Sequence, residues 1–177
     1  MNDKDEQIPI SQADAKYKRY IGNGAPKHFL SWSNNLTWRN FDLSVFFRGT
    51  FGFDVFNMRK YGMGLQGCGT DNVLRSAYLE DKNIRTGGGV ISSYFLEDGS
   101  FIKLENVTLG YNFTPKNRKL LDNMRIYLSA KNLFTLTGYS GNDPSIIDVN
   151  GIQPGVDSNS AYPTATQLSL GVTLRFK

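Results

Sequence analysis

The strongest constraint on this chain is an alternation with a period of two residues. In "TQLSLGVTLRFK" (166–177), Leu168, Leu170, Val172, Leu174 and Phe176 interleave with Gln167, Ser169, Gly171, Thr173 and Arg175. That period belongs to a β-strand with one apolar and one polar face. "HFLSWSNNLTWR" (28–39) sets Leu30, Trp32, Leu36 and Trp38 against Ser31, Ser33, Asn35 and Thr37. "FDLSVFFRGTF" (41–51) follows at once, with Phe41, Leu43, Val45 and Phe47 against Asp42, Ser44, Phe46 and Arg48. Two such runs so close together predict a tight hairpin.

"SFIKLENVTLGYNF" (100–113) puts Val107, Leu109, Tyr111 and Phe113 opposite Thr108, Gly110 and Asn112. Ile102 and Leu104 fall on the other count, so a β-bulge near Glu105 is expected. "MRIYLSAKNLFTLT" (124–137) alternates Met124, Ile126, Leu128 and Ala130 with Arg125, Tyr127, Ser129 and Lys131. The chain (1–177) therefore reads as all-β, an antiparallel up-and-down meander. Its strands lie near 28–39, 41–51, 100–113, 124–137 and 165–176, after a polar loop over 1–27. Residues 114–123 form a short link, and 52–99 and 138–163 form long connections. "DNVLRSAYLEDKN" (71–83) suits a short helix, and the Gly-rich "TGGGV" follows it.

Strands of about 11 to 14 residues exceed the usual 5 or 6 of soluble sheets. Short turns at one end and long loops at the other suit a transmembrane β-barrel of the outer-membrane kind. The charges agree: Arg39, Asp42, Arg48, Arg125, Lys131 and Arg175 fall on the polar face, with Lys103 and Glu105 if the bulge lies as stated. An Arg or Lys facing lipid at mid-bilayer would cost about 2–4 kcal/mol. With the chain ending on the periplasmic side, Trp38, Phe41, Tyr111, Phe113 and Phe176 gather at one height on the apolar face. That is the place of an interfacial girdle. Packed sheet-core aromatics would read the same way.

Five strands cannot close a barrel, which needs about eight and leaves no edge in lipid. Either the chain is a C-terminal piece of a larger barrel, or several copies pair, or the sheet is soluble. The polar start "MNDKDEQIPI" is no signal peptide, which points to the first. No run of 18 apolar residues occurs, so no transmembrane helix is expected.

Composition excludes several classes. A 40% apolar and 20% charged chain is not generally disordered. The net charge of +4 is scattered, so nucleic acid is not an expected partner. Cys68 and His28 are the sole Cys and His, which leaves no internal disulfide and no Cys/His zinc set. No nucleophile elbow, phosphate loop or zinc-peptidase motif is present, and "TGGGV" lacks the Lys and helix of a phosphate loop. "NDKDEQ" (2–7) and "GNDPSIIDVNG" (141–151) collect acidic oxygens without EF-hand spacing. No catalytic residue, metal site or cofactor is expected.

Four ordered stretches carry a family resemblance: "YIGNGAPKHFLSWSNNLTWRNFDLSVFFRGTFGFDVFN" (20–57), "FLEDGSFIKLENVTLGYNF" (95–113), "MRIYLSAKNLFTLTGYSGNDPS" (124–145) and "YPTATQLSLGVTLRFK" (162–177). They resemble the SusC/RagA-type TonB-dependent transporters of Gram-negative outer membranes. The resemblance implies a 22-stranded barrel with a plug, of which this chain holds the last five or so strands. Signal peptide, plug and TonB box would lie outside it, and transport by this chain alone is not expected. Implied partners are the rest of the barrel and the plug, a SusD-like surface lipoprotein, TonB through that outside part, the barrel-assembly machinery and the bilayer. The implied cargo is oligosaccharide or oligopeptide.

By the same resemblance, Gly171, Val172, Leu174 and Phe176 belong to the terminal signal read by the assembly machinery. Physically, Gly171 permits close approach on the lumen face. The connections 52–99 and 138–163 would be extracellular, with Tyr61, Tyr139 and Tyr162 as candidate exposed rings for substrate or partner. The rival reading is a stand-alone secreted β-domain that binds glycans.

Overall fold

The computed structural model describes residues 20–64, 72–75, 91–115, 120–147, 152–158 and 162–177. Five long strands make one antiparallel sheet: β1 (His28–Trp38), β2 (Phe41–Phe51), β5 (Phe101–Phe113), β6 (Leu121–Thr137) and β8 (Gln167–Phe176). They pair in the order β1-β2-β5-β6-β8, each with its predecessor in the sheet, so the meander is up-and-down with β1 and β8 at its edges.

β1 turns into β2 through Arg39 and Asn40, with Arg39 at φ 54. Arg39 is thus a turn residue and not part of a strand face, because a two-residue hairpin needs left-handed backbone. Its guanidinium lies 5.0 Å over the Trp38 ring. β6 begins at Leu121, inside the expected link, because Leu121 and Asn123 already pair with Phe176 and Arg175.

The parity slip at Glu105 is a bulge. Phe46 pairs with Asn106 and Phe47 with Leu104, and on the other side Leu104 meets Phe134 while Asn106 meets Lys131. Glu105 is skipped, and Asn132 opposite takes φ 53. Lys103 and Phe101 thereby share the side of Arg48 and Thr50, while Ile102 and Leu104 share that of Phe47 and Gly49. The Glu105 carboxylate accepts from Arg48 Nε at 3.3 Å.

The apolar face of this sheet is bare. Leu170 is 74% exposed and Trp38 67%, with Leu36, Leu109, Leu128, Leu168 and Phe176 also open. The buried cluster lies instead among the long connections, where Phe53, Val55, Phe101, Tyr139 and Ile147 meet. Those connections are folded. They hold β3 (Asp54–Asn57), the short helix α1 (Met58–Met63), a 3-10 turn at Ser93–Phe95, β4 (Leu96–Asp98), a second at Pro144–Ile146, and β7 (Val156–Asp157).

β4-β3-β7 form a second, three-stranded sheet, antiparallel on one side of β3 and parallel on the other. Alternation over three or four residues is too short to announce such strands. The Asn57 side chain accepts from the Lys60 amide and caps α1. Gly155, at φ 73, lets residues 23 and 24 pass directly against β3, where the Asp54 amide bonds Asn23 carbonyl at 2.7 Å. The helix expected within 71–83 falls mostly outside the described residues, as do "NDKDEQ", Cys68 and "TGGGV".

Candidate functional site

Three surfaces bear on function: the apolar wall, the polar wall behind it, and the cap built by the long connections. On the apolar wall Phe41 pairs with both Trp38 and Tyr111, and the Phe41 and Tyr111 rings lie 4.9 Å apart. Phe113 lies two residues farther along β5, and Phe176 faces Leu121 at the same end. The structure thus gathers the five aromatic candidates at the end of the sheet that carries the short turns. A hollow on this wall, between Phe41, Tyr111, Ile126 and Leu170, is lined by hydrocarbon and rings alone.

The polar wall carries an ordered network. Asp42, Gly110, Tyr127 and Gly171 stand side by side across four strands. The Arg125 guanidinium forks onto the Asp42 carboxylate, Nε to Oδ1 at 3.0 Å and Nη2 to Oδ2. Asn112 donates to the same Oδ1 at 2.8 Å. Both glycines leave room for this arrangement. A Cβ on Gly110 would lie 2.5 Å from the Asp42 oxygens, and one on Gly171 would enter the Tyr127 ring. Gly171 therefore allows a ring from the neighbouring strand to lie flat on the wall. One row on, Thr108 and Ser129 share a hydrogen bond of 3.0 Å.

In the cap, the three tyrosine candidates separate. Tyr139 is 6% exposed, so it is a core residue and offers no ring face to a ligand. Its hydroxyl donates to Asp157 at 2.6 Å. Burial first, and then the Asp157 carboxylate, push that phenol above its ordinary range. Just after β6 ends at Thr137, the Thr137 hydroxyl accepts from the Tyr139 amide at 3.1 Å, and the Tyr139 ring joins the core with Phe53 and Val55. Tyr61 is half-buried and packs edge-on against Phe95 at 5.2 Å. Tyr162 is 93% exposed.

Two carboxylates tie the cap together. Glu97 accepts from the Ser140 amide and hydroxyl, both at 2.8 Å, and pairs with Lys60 at 3.2 Å. Burial works to raise its carboxyl, but the Ser140 bonds and Lys60 outweigh that and hold it below the usual range. Asp143 meets Lys103 at 3.1 Å, an ion pair with side chains only 7% and 2% exposed. Lys103 Nζ also donates to Ser145 Oγ at 2.7 Å and Thr164 Oγ1 at 2.5 Å. Burial again works to raise Asp143, while bonds from Ser145, Thr164 and Lys103 bring it down to about 2. The acidic stretch at 141–151 thus spends Asp143 on an internal partner. No local signal announced this pair, since Lys103 and Asp143 stand 40 positions apart.

The comparisons with known proteins agree with this architecture. No family model matches the chain. It is 28% identical over 98% of its length to TonB-dependent receptor P3 of Formosa agariphila, covering 18% of that protein. It is also 28% identical over 81% of its length to TonB-dependent receptor SusC of Bacteroides thetaiotaomicron, covering 14%. The structure of the RagAB peptide transporter superposes with TM-score 0.75 at 24% identity, over 94% of this chain and 19% of that one. This chain has the fold of a SusC/RagA-type barrel segment. It spans about a fifth of the length of the relatives it matches.

Proposed function

We propose that this chain forms part of the wall and outer rim of a TonB-dependent importer in a Gram-negative outer membrane. Its role is structural and not catalytic. The observation that carries this is the long antiparallel sheet with one apolar face open and the other laced with charge pairs. In water such a face would demand a cover. In a bilayer it is the required exterior, with Trp38, Phe41, Tyr111, Phe113 and Phe176 at the periplasmic interface. The terminal residues Gly171, Val172, Leu174 and Phe176 would be presented to the barrel-assembly machinery on the edge strand β8.

The cap would then face the cell exterior, where a SusD-like lipoprotein closes over the cargo, and TonB would act through the plug. The likeness to the RagAB peptide transporter supports oligopeptide as cargo, and oligosaccharide is the alternative that the family resemblance implies. Tyr162 is the ring candidate that remains open. The glycan-binding secreted domain is disfavoured by the same bare face.

The test is purification of the 177-residue chain with and without detergent. The expected result is aggregation in buffer and dispersal in detergent, because the apolar face and both edges are uncovered. A monodisperse, detergent-free monomer that melts cooperatively would overturn the proposal.

A further inference from the structure

The Lys103 ammonium occupies an unusual place, since its three acceptors come from both stems of one long connection. Asp143 and Ser145 lie just after β6, while Thr164 lies just before β8. Asp143 Oδ2 closes the ring by accepting from Thr164 Oγ1 at 2.6 Å, and Asp143 Oδ1 accepts the Ser145 amide at 2.9 Å. The second stem is also held to β6, where Asn132 Nδ2 donates to the Ala165 carbonyl at 3.2 Å and Thr166 Oγ1 to the Asn132 carbonyl at 2.9 Å. Lys103 itself is fixed on β5, turned inward by the bulge at Glu105. Two separate stretches of chain therefore converge on one buried cation carried by a third.

We propose that Lys103 is a positioning residue that clamps both stems of the 138–166 connection to the barrel wall, and so sets the pose of Tyr162. A buried ammonium cannot release a single acceptor cheaply, because an unpaired charge or hydroxyl would be left out of water. Both stems consequently move with the wall or not at all. Tyr162 stands two residues before Thr164, so its range is governed by a clamp bond and not by contacts of its own ring. The clamp rests on the coordinates alone; that the rim it positions meets cargo or a lipoprotein rests on the function proposed above.

The test uses the full-length protein in outer membranes, with Cys68 replaced by Ser and spin labels on cysteines at positions 162 and 115. Wild type is expected to show one narrow distance distribution. Lys103→Met and Asp143→Asn should broaden it and raise protease cleavage within 138–166 about tenfold or more, with the barrel still folded by its heat-modifiable migration. Thr164→Val should broaden it less, and Thr164→Ser, which keeps the hydroxyl, should restore the narrow distribution. An unchanged narrow distribution in a folded Lys103→Met barrel would overturn the clamp. Should Lys103→Met not assemble, Thr164→Val against Thr164→Ser decides alone, equal widths overturning the clamp. A label at position 162 unreachable from outside the cell would overturn the functional reading and leave the clamp standing.

Discussion

Gly110 sits where the Asp42 carboxylate and the Arg125 guanidinium cross the wall, and a Cβ there would lie within 2.7 Å of both, so the fork must shift to admit one. Gly110→Ala forces that fork apart, leaving two half-exposed charges less well bonded. A loss of about 1–3 kcal/mol is expected, read by urea unfolding of the folded barrel in vesicles. A change within error would show that the fork contributes nothing to the wall. Tyr139 poses the complementary question in the cap. Tyr139→Phe keeps the ring in the core and removes only the bond to Asp157, for a cost of about 1–2 kcal/mol. Tyr139→Leu, which empties part of the core, should cost more. The order of the two melting temperatures decides whether ring packing or the hydroxyl dominates.

At the scale of elements, two carboxylates tie the cap together, Glu97 on β4 and Asp143 at the start of the 3-10 turn Pro144–Ile146. Asp143 titrates at about 2 in the fold against 3.8 ordinarily, and Glu97 also lies below its ordinary 4.5. For a depressed carboxyl the stabilisation is complete above the unfolded value and is lost as pH falls through the folded one. The cap is therefore expected to keep its amide-exchange protection at neutral pH. It should begin to lose it below the ordinary carboxylate range and finish near the Asp143 value, while the long sheet stays protected. Simultaneous loss in β2, β5 and β6 would show that cap and wall are one cooperative unit.

Across the whole molecule, the proposed place in a membrane gives the two faces of the wall different solvents, so neighbouring residues should respond oppositely to one substitution. Val107→Arg places a cation in hydrocarbon and should cost about 2–4 kcal/mol of barrel stability, or block assembly. Thr108→Arg, one residue along and facing the lumen, should cost about 1 kcal/mol or less, since water reaches it. Folding yield into vesicles followed by heat-modifiable migration separates the two. Equal losses at both positions would sink the assignment of faces.

The period of two in "TQLSLGVTLRFK" and its counterparts was sufficient by itself to settle strand, face and hairpin, because neighbouring side chains in an extended chain must point oppositely. The slip at Glu105 even located the bulge. What alternation cannot carry is which distant residues meet. Lys103 finds Asp143 and Asp42 finds Arg125 across 40 and 83 positions, and β3 pairs with β7 from another connection altogether. Tyr139 read as an exposed loop ring because nothing local distinguishes a tyrosine turned outward from one turned into a core. Those outcomes were decided by the tertiary structure, where desolvation makes a buried charge or hydroxyl take whatever partner the closing loops deliver.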